Sequence, residues 1–318
     1  MIQDKPSYIA NFNLTFGKED KPMLMHFEDI VYPAFTKNRK YEYRQKNKRT
    51  TYFLEQVKLT NLKGDFVLAG LIVKSTTLEV KSRIIDGKLV RTNENYPSDP
   101  YSYFVINLKN HRMVLVKNQN GSPSLSNFSS TVKQLLNDYI REQNLIVLGN
   151  QKLPSANLNV VAIPFSGAIE EELERVKKIK NVILRFYPLN GDIMENETVD
   201  ELTETLKKLG SKTGYLQYNT PTNNENVAMV IKDTKGLMKP TIRVAFKNGT
   251  TGTLKDDSFT EEMGIPLNED ETFLQNIDVI ASKVINKEEF VETSLENISI
   301  YDKFFSKIEN LYNKFFEK

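Results

Sequence analysis

The sequence predicts an α+β protein: an N-terminal, mainly antiparallel sheet domain with a helix, a second mixed sheet domain containing a β-α-β unit, and a C-terminal helical segment. Three observations carry this. The first part alternates apolar and polar residues, or runs apolar between turn residues, as strands do. The middle exchanges that rhythm with a helical one, and the end repeats apolar residues every three to four positions. A chain of 318 residues also exceeds the roughly 100 to 200 of one usual core. The expected units are 1–150, 151–266 and 267–318, the last serving packing or dimerisation. An apolar fraction of 39% with 26% charged residues is that of a folded chain.

Tyr8, Ala10, Phe12, Leu14 and Phe16 alternate along a half-buried strand. Phe66–Val73 is continuously apolar, as a central strand is. Thr77–Ile85 and Lys88–Thr92 flank Asp86-Gly87, two residues that tolerate the positive φ of a tight hairpin. Tyr103–Ile106 and Arg112–Val116 form another pair. A helix follows, capped by Ser129 or Ser130, with Val132, Leu135, Leu136, Tyr139 and Ile140 on one face. The Gly- and Pro-bearing stretch 149–155 breaks both rhythms and marks the boundary.

Beyond it, Leu158–Ile163 reads as a strand, Ile169–Lys180 as a helix and Val182–Phe186 as a strand. That order points to adjacent parallel strands with a right-handed crossover. Thr198-Val-Asp-Glu201 is a capping-box pattern opening a helix that Gly210 ends. Val227–Ile231, Thr241–Phe246 and Thr250–Leu254 continue the sheet. Asn268 caps a helix through Val284, and a last helix from about Ser294 carries Leu295, Ile298, Phe305, Ile308, Tyr312 and Phe315. Docking of these helices within the chain competes with a two-fold homodimer burying the same stripe.

Much familiar chemistry is absent. Cysteine does not occur, which removes disulfides, thiolate metal sites and a cysteine nucleophile. His26 and His111 are the only histidines, too few for a rich metal cluster, and each reads as a packed or solvated side chain. No phosphate-loop or dinucleotide-binding glycine pattern is present, so no cofactor is expected. Neither a membrane-length apolar run nor an apolar leader is seen, and a cytoplasmic location is expected.

The net charge of +2 conceals an asymmetry: residues 1–150 hold 22 Lys/Arg against 14 Asp/Glu, the remainder 21 against 27. Within the basic part, seven of the thirteen residues 37–49 are cations: Lys37, Arg39, Lys40, Arg44, Lys46, Lys48 and Arg49. Tyr41, Tyr43 and Tyr52 are interleaved. Clustered cations displace counterions from a phosphate backbone, and tyrosines stack on bases or hydrogen-bond phosphates. Double-stranded DNA is therefore the expected partner. A solvated charged loop, or a surface for acidic protein or lipid headgroups, is the competing account.

An enzymatic alternative rests on Asp65 before one strand and Glu79-Val-Lys81 on the next. Two such carboxylates would hold Mg²⁺ while Lys81 orients a water, as in PD-(D/E)xK nucleases. Glu19-Asp-Lys21 matches the triplet equally well in a loop. Asp192, Glu195 and Glu197 form a further acidic group, read either as cation ligands or as favourable charge in the first turn of a helix. A protein-interaction module without any nucleic-acid role is the remaining class.

The order of elements resembles that of the RexA family of phage-exclusion proteins, typified in lambda prophage, and of related abortive-infection proteins. The likeness runs from Tyr8-Ile-Ala-Asn-Phe12, through Asp99-Pro-Tyr-Ser-Tyr-Phe-Val-Ile106, to Thr241-Ile-Arg-Val-Ala-Phe-Lys-Asn-Gly249 and Gly264-Ile-Pro-Leu-Asn268. The resemblance implies a dimeric, sequence-independent DNA binder that senses phage infection without altering the DNA. It also implies a membrane-protein partner encoded nearby. It carries over no individual functional residue.

Overall fold

The computed structural model describes residues 2–45, 48–147, 151–188, 197–260 and 263–316, so Lys46, Asp192 and Glu195 lie outside the described residues. In chain order the first part comprises β1 (Ile2–Phe16), β2 (Lys21–Pro22), α1 (Tyr32–Thr36), β3 (Lys40–Gln45), β4 (Lys48–Leu62) and β5 (Asp65–Ile85). It continues through β6 (Lys88–Ser98), β7 (Tyr101–Asn107), β8 (Arg112–Lys117), α2 (Leu125–Ile146) and β9 (Ala156–Ala162). Then come α3 (Ser166–Glu174), β10 (Val176–Phe186), α4 (Glu197–Leu209), β11 (Gly214–Asn219), α5 (Asn224–Asp233), β12 (Lys239–Phe246) and β13 (Thr251–Lys255). The chain ends in β14 (Met263–Asn268), α6 (Phe273–Val284), α7 (Glu288–Val291) and α8 (Leu295–Phe316).

The strands form two sheets. The large one has ten strands, ordered β14-β1-β8-β7-β5-β4-β3, with β2 and β9 also on β1 and β6 on β5. The small one is β11-β10-β12-β13. The α+β class holds, but the parallel β-α-β unit does not. All strand pairs among the described residues are antiparallel, and the strands flanking α3 belong to different sheets: β9 pairs with β1, β10 with β11 and β12. The reason is the edge that β1 offers. β8 takes one side of β1 along residues 7–11, and β9 takes the other along 10–16. The sheets therefore divide elsewhere than at 149–155, because β9 and β14 both return to the large sheet.

The apolar run of β5 follows from burial on both faces. Phe66, Leu68 and Ile72 enter one core with Phe104, Leu115 and residues of α1, α2 and α8. Val67, Ala69, Leu71 and Val73 enter another with Val105, Val114 and Ile277, Ile280 and Val284 of α6. Gly70 falls in the first set, where a Cβ would stand 2.6 Å from Cζ of Phe104. Its lack of a side chain lets that ring lie on the strand. Phe104 then meets Phe128 of α2 at 5.1 Å and Phe35 of α1 at 6.1 Å between centroids.

Local details differ from expectation for identifiable reasons. The α2 cap is Ser124, which accepts from the Asn127 N–H, rather than Ser129 or Ser130. The helix of 169–180 stops at Glu174, and Val176 already begins β10. Two bulges in the β10–β12 register turn Val176, Ile179 and Val182 to one side at three-residue spacing, which imitates a helix in sequence. Conversely, Val227–Ile231 belongs to α5, capped by Asn223, since Val227, Ala228 and Ile231 share a helical face. Thr198 lies inside α4, whose end Gly210 marks at φ +65°. Thr272, not Asn268, caps α6.

The C-terminal stripe docks on its own chain. Tyr301, Phe304, Ile308 and Leu311 are buried in the first core, and the Tyr301 hydroxyl accepts the Phe66 N–H at 2.9 Å. Phe304, Ile308 and Leu311 along the expected stripe are thus covered within the chain, while Leu295 is 84% exposed. Among the described residues, no helix is long and apolar enough to cross a membrane.

Candidate nucleic-acid interface

The basic segment folds as the hairpin β3–β4, with Tyr41 opposite Tyr52, Tyr43 opposite Thr50 and Arg44 opposite Arg49. Strand alternation sets the positions of Lys40, Arg44 and Arg49, with Glu42 among them, on one side of the hairpin and the tyrosines on the other, so cations and rings do not share a face. Lys40, Glu42 and Arg44 share one set of positions, and Tyr41 and Tyr43 the other. Several cations are also committed. Arg39 makes a two-pronged pair with Glu142 and lies 5.5 Å from the Tyr139 ring centroid. Lys37 sits 4.8 Å from the same ring, Lys40 5.3 Å from Phe53, and Arg49 pairs with Glu42. Tyr41 and Tyr52 stack on each other at 6.4 Å, which leaves Tyr43 as the outward ring.

The Arg39 hydrogen bond holds the Glu142 carboxyl below the ordinary carboxylate range. This clasp is therefore present above that range and is lost as pH falls through the lowered value. Its role is to fasten the base of the hairpin to α2. Arg39→Ala and Arg49→Ala should accordingly change the salt dependence of DNA binding little, while loosening the hairpin's amide protection in hydrogen exchange. A collapse of DNA affinity in these variants at unchanged fold would return the interface to the hairpin.

The nuclease alternative loses its geometry. Asp65 and Glu79 lie on the same strand, β5, so at about 3.3 Å per residue they stand on the order of 40 Å apart. Asp65 pairs instead with Lys109 at 3.2 Å, and Glu79 and Lys81 lie on a distant arm of the sheet. No group of three or more acidic or histidine ligands occurs among the described residues. His26 faces Asp29 at 3.0 Å and the Phe16 ring at 5.1 Å, while His111 is buried in the β7–β8 turn.

A second cationic set, which no contiguous basic stretch of the sequence announces, lies on the small sheet. Val182, Leu184, Ile242, Val244 and Leu254 point into its core. The alternate positions face outward: Arg185 is opposite Lys239, Thr241 opposite Lys255, and Arg243 two residues beyond Thr241. Tyr215 lies opposite Arg185 on the next strand and is 63% exposed. This face forms one wall of a cleft of about 870 Å³. Across it stand Lys117 of β8 and the serine-rich start of α2, including Ser126 and Ser129.

Charge in the cleft is partly spoken for. Lys239 lies 3.4 Å from Asp256, whose carboxyl burial pushes up while Lys239 opposes the shift. Lys117 lies over Tyr8 at 4.8 Å, and Glu172 pairs with Arg175. Arg185, Arg243 and Lys255 make no ion pair among the described residues, although Arg185 hydrogen-bonds the Tyr187 hydroxyl. The remaining carboxylates, Glu171 and Asp257, come from α3 and from the turn after β13, not from the sheet face. What the arrangement offers is a row of cations flanked by hydroxyls and one exposed ring, the donors that grip phosphate oxygens.

Fold and cleft together define an α+β protein with a groove between two sheets, one wall of which carries Arg185, Lys239, Arg243 and Lys255. No family model and no curated protein matches the chain.

Proposed function

We propose that the protein is a non-catalytic, sequence-independent binder of duplex DNA, and that the cleft between the sheets holds the phosphate backbone. The carrying observation is the set Arg185, Arg243 and Lys255, three exposed cations on one sheet face that make no ion pair among the described residues. Point charges and flexible donors on a flat strand surface suit backbone contacts, which fix register without reading bases. The hairpin β3–β4 adds long-range attraction rather than the grip. The likeness of element order to RexA-type proteins supports a role as a sensor in phage exclusion, with a membrane-protein partner.

The test is duplex DNA affinity measured between 50 and 200 mM salt, concentrations at which backbone-binding proteins typically lose affinity steeply. Native protein should show that steep fall, and the Arg185→Ala/Arg243→Ala/Lys255→Ala variant should show a slope shallower by about 0.9 for each phosphate it no longer neutralises. Equal slopes would exclude the cleft as the binding surface. Plasmid incubated with Mg²⁺ should be shifted intact; nicked product would favour the enzyme instead.

A further inference from the structure

Beyond Ser75, β5 leaves the large sheet. Its pairing with β7 ends at Val73 and with β4 at Ser75, yet β5 continues with β6 alone to the turn Asp86-Gly87. At about 3.3 Å per residue, the stretch from Ser75 to Ile85 carries this ribbon on the order of 30 Å beyond that point. A two-stranded ribbon on its own is marginal in water, and this one also holds aliphatic side chains in solvent. Leu78 is 58% exposed, Ile84 72% and Leu89 76%. Apolar groups gathered outside the core in this way mark a contact surface.

Even spacing puts Leu78, Val80, Ser82 and Ile84 on one side of β5, and register brings Leu89 opposite Ile84 and Arg91 opposite Ser82. From Leu78 to Ile84 this side runs about 20 Å. The charge around it is cationic. Between residues 81 and 91, Lys81, Arg83, Lys88 and Arg91 stand against Asp86 alone, and all of them are exposed. Lys88 and Arg91 make no ion pair among the described residues. Glu94 is neutralised within the ribbon by Arg83 at 3.3 Å and accepts the Tyr96 hydroxyl, while Glu79 falls on the opposite side of β5 from Leu78.

We infer that this side of the ribbon rests on an anionic phospholipid surface. Leu78, Ile84 and Leu89 enter the boundary between headgroups and acyl chains. Arg91 meets headgroup phosphates directly, and the long stems of Lys81 and Lys88 reach them around the narrow ribbon. A ribbon lying flat submerges one layer of side chains only. Its backbone stays at headgroup depth, where water and phosphates satisfy the open strand edges that hydrocarbon would not tolerate. DNA offers the same phosphates, but successive bases are about 3.4 Å apart, and a wedge between them takes one or two side chains. An apolar side about 20 Å long matches a lipid surface better. The ribbon lies outside both the cleft and the β3–β4 hairpin, so this contact does not rest on the DNA reading.

Flotation of the full-length protein with phospholipid vesicles tests it. Native protein should bind phosphatidylcholine vesicles containing about a third phosphatidylglycerol roughly tenfold more tightly than phosphatidylcholine alone, and the difference should shrink as salt rises. Ile84→Ser/Leu89→Ser should lose about tenfold or more of that binding while keeping the native circular dichroism and duplex DNA affinity. Lys88→Gln/Arg91→Gln should bind the two vesicle types nearly alike. Native protein that floats with neither vesicle, or equally with both, overturns the proposal. So does an Ile84→Ser/Leu89→Ser variant that floats undiminished. Loss of DNA affinity in that variant, with lipid binding and fold intact, would instead assign the ribbon to nucleic acid.

Discussion

A chain ending at Ser294 should show no cooperative thermal transition. Removing α8 takes Tyr301, Phe304, Ile308 and Leu311 from the core, each at most 6% exposed in the intact protein. Burial of a large apolar side chain is worth about 1.5–3 kcal/mol, so four of them approach the roughly 5–15 kcal/mol that holds a whole domain folded. The deletion also uncovers Phe66, whose ring lies 5.3 Å from Phe305 and 5.4 Å from Tyr312, and strips its N–H of the Tyr301 hydroxyl. Uncovered, that N–H bonds to water instead, so the lost contact adds only the roughly 0.5–1.5 kcal/mol net worth of a hydrogen bond. Burial pushes the Tyr301 phenol up to about 12, so it stays protonated and the contact holds throughout neutral pH. A truncated chain melting cooperatively within a few degrees of the full protein would show α8 to be dispensable. Its apolar stripe would then be available to another molecule.

Strands buried on both faces were the most legible part of the sequence, because their signal is local. Phe66–Val73 could hardly be anything but central, and Asp86-Gly87 could hardly be anything but a tight turn. Partner choice was not legible. Whether Leu158–Ile163 pairs with its neighbour beyond α3 or with β1 depends on which edge is free, and that is settled at the opposite end of the first part of the chain. The bulges of β10 misled in another way. Each adds a residue without changing face, so a strand acquires the three-residue spacing of a helix, and only the partner β12 reveals it.

Charge sums showed only part of the cationic surface for the same reason. The basic amino-terminal half drew attention to residues 37–49, but neighbours in sequence alternate across a hairpin and meet Glu42 and Glu142. The acidic half instead supplies Arg185, Lys239, Arg243 and Lys255, which strand pairing brings together from three separate segments. A local trace did exist: Lys239, Thr241 and Arg243 alternate with Pro240, Ile242 and Val244. The alternation marks one polar strand face; it takes β10 and β13 to make that face a cationic surface.

Phe128→Ala should cost about 3–5 kcal/mol, the usual penalty for emptying a buried phenyl site. Phe128 is fully buried, lying 6.2 Å from Phe12 and 5.1 Å from Phe104, and it anchors the first turns of α2. Those turns carry Ser126 and Ser129 into the cleft, so a packing defect here is also a defect in the cleft wall. Because a ligand that binds only the folded state stabilises it by mass action, duplex DNA at a hundred times its dissociation constant should return about 2.7 kcal/mol. Denaturant midpoints with and without DNA measure both quantities at once. Phe128→Ala should melt early and recover part of the loss with DNA, whereas Arg185→Ala/Arg243→Ala/Lys255→Ala should melt like the native chain and gain little. Should DNA stabilise that triple variant as strongly as the native protein, the cleft cations are not what holds the phosphates.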